Sequence, residues 1–390
     1  MPDRPVCGTR HGNANEKVKN MKWTAKVAKD EPICEPVVDH MSNRLYDPGD
    51  ITISCYENDV PAFIEVEMVR LYASVYSSLA QFRIYSDGHD TSTYIVRKGG
   101  KIVTVLLFQQ DGGKVSVVNE VIKIDEEDIS RFAAYIFANV ESATVIFFKS
   151  IQTDLRKIPF PHQRFNHLED IVLTMPETAE DYVAGLGKNT RRNIKRYTKK
   201  LRESFPSFHY DVSEKDDVDE QTIRDIVNLN RARMADKNKV SVIDEKETER
   251  IILLAKECGL VGVARIDGRV CSGRISCRVG SNYFLTVIAH DTAYDDYWLG
   301  ILCCYFTICE CIARDGKEFH FLWGEYEYKY TLQGVKRDLD KLVIYRSHAQ
   351  MLFNGDIALN FLFHGYARQA RQWLHAAKHR DSFLSRLAVG

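Results

Sequence analysis

The spacing of apolar residues predicts a series of helices and strands, and the same order of elements occurs twice along the chain. In the first half, a helix with Pro61 in its first turn precedes short runs of alternating apolar residues separated by Gly-containing turns. A second helical pattern and an apolar, β-branched run follow. The predicted elements are a helix over residues 61–72, strands at 93–97, 102–109 and 115–122, a helix at 127–139 and a strand at 143–148.

The second half repeats this order with different residues. Amphipathic helices come first, then three strands joined at Asp267-Gly268 and at Gly280-Ser281-Asn282, then an apolar helix and a last strand. The predicted helices cover residues 179–201, 221–234, 246–258 and 300–313, and the strands 261–266, 270–279, 283–289 and 318–323. The two halves therefore resemble copies of one α/β unit.

Composition limits the classes of protein that fit this pattern. The 53 Lys and Arg residues against 54 Asp and Glu leave a net charge near zero, which argues against a general affinity for nucleic acid. The ten cysteines form no CxxC pair, so we expect reduced thiols and no metal site. The longest apolar run, residues 299–313, contains Glu310 and is shorter than the roughly 20 residues of a membrane span. A cytoplasmic protein is expected.

A turn between a predicted strand and the apolar helix carries the first candidate chemistry. The sequence Tyr297-Trp298-Leu299-Gly300 places backbone N–H groups and the positive end of a helix dipole where a pyrophosphate could bind. A tight turn with no ligand is the alternative and is the more common reason for a single glycine at a helix start.

A strongly basic helix is predicted just before the second set of strands. Residues 187–202 carry eight cations, among them Arg191, Arg192 and Lys195, with no acid before Glu203. These cations suit contact with phosphate groups of a cofactor or of RNA. A solvated surface helix is the alternative.

The last strand leads into a segment with groups suited to proton transfer. Glu325, Tyr328 and Lys329 offer a carboxylate, a phenol and an ammonium where the sheet ends. A polar sheet edge with an ordinary Glu327–Lys329 pair is the alternative. His290 and Asp291, at the end of an earlier strand, rank second as candidates because such a dipeptide is common in turns.

Three segments in order, GLGKNTRRNIKRYTKKL, HDTAYDDYWLGILCCYFTI and FHFLWGEYEYKYTLQG, resemble GNAT-type acyltransferases of the CelD/BcsL-like group linked to cellulose and polysaccharide biosynthesis in bacteria. The resemblance covers about residues 169–347. It implies tandem GNAT-like domains related to Fem-type transferases, each a mixed, largely antiparallel sheet flanked by helices, with a degenerate first copy. Two departures are Trp298-Leu299-Gly300 in place of Ser-Pro-Gly, and Trp323 where the group often has Arg.

The resemblance also implies domains and site residues. We expect an N-terminal extension at 1–45, the degenerate domain at 46–168 and the acyltransferase domain at 169–390. Catalytic roles fall to Glu325, Lys329, Tyr328 and Asp291. The residues expected to bind acyl-CoA are Val287, Ala289, Tyr297, Leu299, Gly300, Ile301, Arg191, Arg192 and Lys195.

Three functions compete at this point. The first is transfer of an acyl group from acyl-CoA to an amine of a small metabolite, sugar nucleotide or polysaccharide precursor. The second is Fem-like transfer from aminoacyl-tRNA, and the third is a non-catalytic scaffold. The basic segment 366–380 could contact a membrane surface, although an ordinary packing helix suits it too.

Overall fold

The computed structural model describes residues 51–86, 90–366 and 368. The predicted extension at 1–45 lies outside the described residues, as does most of the basic segment 366–380. In the described part, the first half contains β1 (Ile51–Tyr56), α1 (Ile64–Tyr72), α2 (Leu79–Tyr85), β2 (Ser92–Lys98), β3 (Lys101–Asp111), β4 (Lys114–Val117), β5 (Ile122–Lys123), α3 (Glu126–Asn139), β6 (Val145–Gln152) and β7 (His162–Thr174).

The second half follows the predicted order with one broken helix. Its elements are α4 (Ala179–Gly185), α5 (Lys188–Ser204), β8 (His209–Glu214), α6 (Glu220–Asp236), α7 (Glu245–Cys258), β9 (Gly259–Ile266), β10 (Arg269–Val279), β11 (Asn282–His290), α8 (Leu299–Ile312), β12 (Glu318–His320), α9 (Glu327–Thr331), β13 (Val335–Tyr345) and α10 (His348–Phe353). The predicted helix at 179–201 is two helices, because Leu186 and Gly187 adopt extended backbone angles between them.

All thirteen strands of the described chain belong to one mixed sheet in which the repeat is visible. In the first half, β2, β3 and β4 form an antiparallel meander, and α3 leads to β6, which runs parallel to β4. In the second half, β9, β10 and β11 form the meander, and α8 leads to β12, parallel to β11. The mixed α/β fold with an internal repeat is therefore confirmed.

The two halves are joined by an exchange of their final strands. Strand β7, from the first half, pairs with β12 of the second half, and β13 pairs with β6 of the first half as well as with β7. The proposed domain boundary between residues 168 and 169 falls within β7. At this junction Nδ1–H of the buried His320 donates a 2.6 Å hydrogen bond to the carboxylate of Asp170, linking β12 to β7.

Helices cover both faces of the second half of the sheet. Leu285 and Tyr283 of β11 pack with α5 and α8 on one face. Val287 and Ala289 of the same strand pack with α6 and α7 on the other face. Strand β11 is thus buried between two helical layers. Among the described residues, no helix combines the length and apolar character needed to cross a membrane.

Candidate active site

Strands β11 and β12 pair briefly and then separate, which leaves a gap in the sheet. They are hydrogen-bonded in parallel only from Asn282 to Phe284, opposite Glu318 to His320. Strand β11 continues to His290, whereas β12 ends at His320. In the gap, the side chain of Asn230 from α6 donates a 2.9 Å hydrogen bond to the carbonyl of Ile288. The second half of β11 therefore offers a backbone edge to a ligand.

Helix α8 begins beside this edge. A short 3₁₀ turn, Thr292–Tyr297, links β11 to the helix, and Trp298 adopts a left-handed conformation with φ of 60° immediately before it. An indole has a donor and no acceptor, so Trp298 cannot cap the first N–H groups of α8. The helix start can therefore receive an anion. The N–H of Ile301 already donates to the carbonyl of Trp298, so the Leu299 and Gly300 amides are the better candidates.

His290 and Gly300 lie in direct contact beneath the helix start. A Cβ atom built on Gly300 would be 2.8 Å from Nδ1 of His290. On its other side, His290 makes a 2.8 Å hydrogen bond through Nε2 with Asp295. Burial lowers the pKa of His290, and the nearby Arg274 lowers it further. His290 is therefore neutral at pH 7, and Nδ1 is buried with no hydrogen-bond partner in the described chain.

Two guanidinium groups lie near this histidine. Arg274 on β10 is almost fully buried and donates to the carbonyls of Gly273 and Ala289, each at 2.7 Å, and also to that of Gly300. It thereby ties the end of β11 to the start of α8. Arg233, at the end of α6, has its pKa lowered by burial and then by Arg274. The two cations make this end of the gap electropositive, which suits an anionic ligand.

Tyr328 lies within electrostatic range of both arginines. Its ring packs edge-on against Phe321, with ring centroids 6.2 Å apart. Burial raises the pKa of Tyr328 well above its ordinary value, while Arg274 and Arg233 act in the opposite direction. The phenol is therefore a proton donor at any physiological pH.

The two neighbouring candidates of the same segment have other partners. Lys329 is buried, and its ammonium donates to the carbonyls of Leu322 and Trp323 at 2.8 and 2.6 Å. Glu325 lies at the surface and accepts a 2.7 Å hydrogen bond from Lys336. The sequence predicts that both groups line the cleft next to Tyr328. In the structure, Lys329 instead holds the loop through two carbonyls, and Glu325 forms a surface ion pair. Their catalytic roles stay predictions.

The remaining candidates are distributed around the gap. Asp291 accepts the N–H of Ala293 at 2.9 Å and so caps the 3₁₀ turn. Val287 and Ala289 are buried on the α6 and α7 side of β11. Tyr297 packs edge-on against Phe205, with the ammonium of Lys200 4.5 Å from its ring centroid.

One cation of helix α5 that lies near the start of α8 is Lys200, which was not among the predicted residues. Lys200 donates to the carbonyl of Asp296 at 3.1 Å, and the ring of Tyr197 packs on Trp298. Arg191 and Lys195 line a separate groove beside the middle of α8. Arg192 is exposed on the same helix. Contact of these three residues with a cofactor stays a prediction.

Sequence reasoning missed Arg274, Arg233 and Asp295. A lone arginine within the apolar strand VCSGRISC is the signal that could have identified Arg274, because a buried cation is rare unless it has partners. The His290–Asp295 pair joins residues five apart, and only the 3₁₀ turn brings them together.

Comparison with known proteins gives one family match. Residues 188–330, from the start of α5 into α9, match the family model of the acetyltransferase (GNAT) domain. The chain is therefore an enzyme of the acyltransferase class. No curated protein sequence matches it. Its membership of the CelD/BcsL-like group stays a prediction.

Several solved structures resemble the chain at low sequence identity. FemX has a TM-score of 0.57 at 8% identity, over 76% of this chain and 99% of the FemX chain. A conserved protein of unknown function from Bacteroides thetaiotaomicron VPI-5482 has a TM-score of 0.49 at 12% identity, over 74% and 99% of the two chains. A tandem GNAT protein from the clavulanic acid biosynthesis pathway has a TM-score of 0.41 at 10% identity, over 75% and 98%. The likeness to FemX shows a shared fold.

Proposed function

We propose that the protein transfers an acyl group from acyl-CoA to the amine of a small metabolite, sugar nucleotide or polysaccharide precursor. The observation that carries this proposal is the uncapped start of α8 beside the open edge of β11. Such an arrangement binds a pyrophosphate at the helix start and hydrogen-bonds an extended chain along the strand. Acyl-CoA has both parts.

The residues at the gap have separable roles in this reaction. The Leu299 and Gly300 amides bind phosphate oxygens, and Lys200 adds a positive charge on the α5 side. The neutral amine attacks the thioester carbonyl and the carbon–sulfur bond breaks. The thiolate leaves with a proton from a nearby acid, and the acylated nitrogen returns one proton to that acid, so that an amide and a free thiol form. Tyr328 supplies that proton, because its phenol stays protonated and lies within electrostatic range of Arg274 and Arg233.

Binding of acyl-CoA is the direct test. Acetyl-CoA and a longer acyl-CoA are titrated into the full chain by calorimetry, and free thiol is then followed with a panel of amines. We expect affinity that falls with ionic strength, because phosphates provide much of the contact. Absence of binding to any acyl-CoA would overturn the proposal.

Transfer from aminoacyl-tRNA is a second candidate, favoured by one observation. The exposed cations of α5 line a groove with Arg191, Lys195, Lys199 and Arg202 on one wall. This groove suits a polyanion larger than one pyrophosphate. If aminoacyl-tRNA protects the chain from thermal unfolding and acyl-CoA does not, this function replaces the first. A non-catalytic scaffold would respond to neither ligand.

A further inference from the structure

A cavity of about 730 Å³ opens where β11 and the chain after β12 separate. Thr286 and Val287 of β11 line the cavity, as does Trp323, which follows β12. It lies on the α6 and α7 side of the sheet, since Val287 packs with those helices. Its volume is within the range of small-molecule sites. The cavity therefore meets the β11 edge from the face opposite α8.

The first half of the chain supplies one wall of this cavity. Tyr76, in the 3₁₀ turn Val75–Ser77, lies with its ring centroid 5.3 Å from that of Trp323. Tyr85 of α2 donates a 2.7 Å hydrogen bond to Glu247 of α7. The two halves thus meet across the cavity. The first half contributes to the site even though the acetyltransferase match begins at residue 188.

The opposite wall is connected to the β11 edge by a hydrogen-bond chain. Ser241, in the loop between α6 and α7, donates to Asn230 at 3.2 Å, and Asn230 donates to the Ile288 carbonyl at 2.9 Å. Lys239 lies in the same loop and lines the cavity. A ligand held by this loop is therefore positioned relative to the strand that holds the acyl donor.

The polar groups of the cavity favour hydroxyls and an anion. Glu247 accepts from Tyr85 and lies 3.8 Å from Arg250, and Asp244 accepts the N–H of Glu247 at 2.8 Å. A carboxylate has about four acceptor sites, so both can still bind hydroxyl groups. Lys239 and Lys246 line the cavity and are exposed, which places two ammonium groups where an anionic group can reach them.

We propose that this cavity is the acceptor site and that it takes an amino sugar carrying a phosphate. This inference rests on the proposed acyltransferase function and narrows its substrate. The sugar ring packs on Tyr76 and Trp323, the hydroxyls bind Glu247 and Asp244, and the phosphate binds Lys239 and Lys246. The amine then points to the Thr286 and Trp323 end, where the donor thioester lies along β11.

The experiment measures binding without an acyl donor. D-glucosamine 1-phosphate and D-glucosamine are titrated into the full chain by calorimetry at millimolar concentration. We expect the phosphorylated probe to bind about tenfold more tightly, because its phosphate makes charge-assisted hydrogen bonds. The double variant Lys239→Ala/Lys246→Ala should reduce this preference below about threefold. Lys256→Ala, on the same helix α7 but outside the cavity lining, serves as the matched control and should keep it.

A second pair of variants tests the wall from the first half. Tyr76→Ala should weaken both probes about tenfold, whereas Tyr76→Phe keeps the ring and should change them less than about threefold. Circular dichroism checks that each variant folds. Equal affinity of the wild type for both probes, no binding of either probe, or unchanged binding in Tyr76→Ala would overturn the inference. If acyl-CoA binds in the same preparation while neither sugar does, the acyltransferase proposal stands and only the acceptor assignment fails.

Discussion

The imidazole of His290 lies against the α-carbon of Gly300, so close that a Cβ atom at residue 300 would be 2.8 Å from Nδ1. A side chain at this position would point toward His290 at the end of β11. The glycine is therefore required by the packing of the helix start on the strand end.

Gly300→Ala tests this contact. The added methyl group should displace the start of α8, lowering the free energy of unfolding by about 1–3 kcal/mol as in other overpacked sites. It should also weaken acyl-CoA binding about tenfold, because the N–H groups move with the helix. Replacing His290 by Ala in the same chain should recover most of the lost stability.

The measurement is a double-mutant cycle by urea unfolding, with acyl-CoA titrations of each variant. Gly355→Ala is the matched control, because no atom lies within 4 Å of a Cβ built there. Additive effects of the two substitutions would show that His290 and Gly300 do not compete for the same space.

The local pattern of the sequence identified the hairpins and most helices, and it missed four strands of the sheet. Strands β7 and β13 were not predicted because polar and charged residues occupy much of both, as in VKRDLDKLVIY. Those charges are paired across strands, for example Arg337 with Glu318. A period-two signal disappears when polar groups are satisfied inside a sheet. The exchange of β7 and β13 between halves is a long-range pairing that no local pattern contains.

In the site too, features set by local sequence could be predicted, whereas those set by long-range packing could not. Tyr328 and the start of α8 at Gly300 were predicted from motifs that follow single strands, where local sequence determines position. Arg274 required knowledge of which face of β10 meets α8. The partners of Glu325 and Lys329 depend on the fold of the 322–326 loop and on β13, which the sequence pattern did not reveal.

The free energy of unfolding should depend on pH in the alkaline range because of Lys329. Burial lowers the pKa of Lys329 from 10.5 to about 8, and Asp170 opposes this change. Between pH 8 and 10.5 the unfolded chain therefore binds more protons at this residue than the folded chain, so the free energy of unfolding should rise with pH across this window. Lys329→Met should lose this rise and cost about 2 kcal/mol at pH 7, because two carbonyls lose a charged donor.

Urea unfolding of both proteins at pH 7, 8, 9 and 10 provides the comparison. The difference between wild type and variant should grow above pH 8. Parallel stability curves would show that Lys329 has an ordinary pKa in the folded chain.

Glu325→Gln separates a catalytic carboxylate from a surface ion pair. The side chain of Glu325 is 47% exposed and its partner is Lys336, so we expect the free energy of unfolding to change by less than about 1 kcal/mol. Turnover should stay within about threefold of wild type, whereas loss of a general base typically costs on the order of 100-fold. Glu327→Gln, in the adjacent exposed turn of α9, is the control. A loss of turnover near 100-fold with unchanged acyl-CoA affinity would instead show that Glu325 is the catalytic base.

Tyr328→Phe tests the proton donor. Because burial holds the pKa of this phenol well above its ordinary value, the wild type should show no loss of rate between pH 8 and 10 from its ionisation. The variant should lose turnover on the order of 100-fold while the KM for acyl-CoA changes less than about threefold. Tyr326→Phe removes a hydroxyl from a ring that stacks on Tyr328 and is 61% exposed, and it should keep turnover within about twofold as the matched control.

The acidity of the leaving thiol can be varied to distinguish two roles of Tyr328, general-acid catalysis and packing. A thiolate derived from a more acidic thiol needs less proton transfer as it leaves, so general-acid catalysis contributes less to its departure. With an acyl donor whose thiol is several pKa units more acidic, the Tyr328→Phe defect should therefore shrink below about tenfold. Thiol release followed with both donors gives the ratio directly. An equal defect with both donors would mean that the hydroxyl orders the site, with the proton coming from water or another side chain.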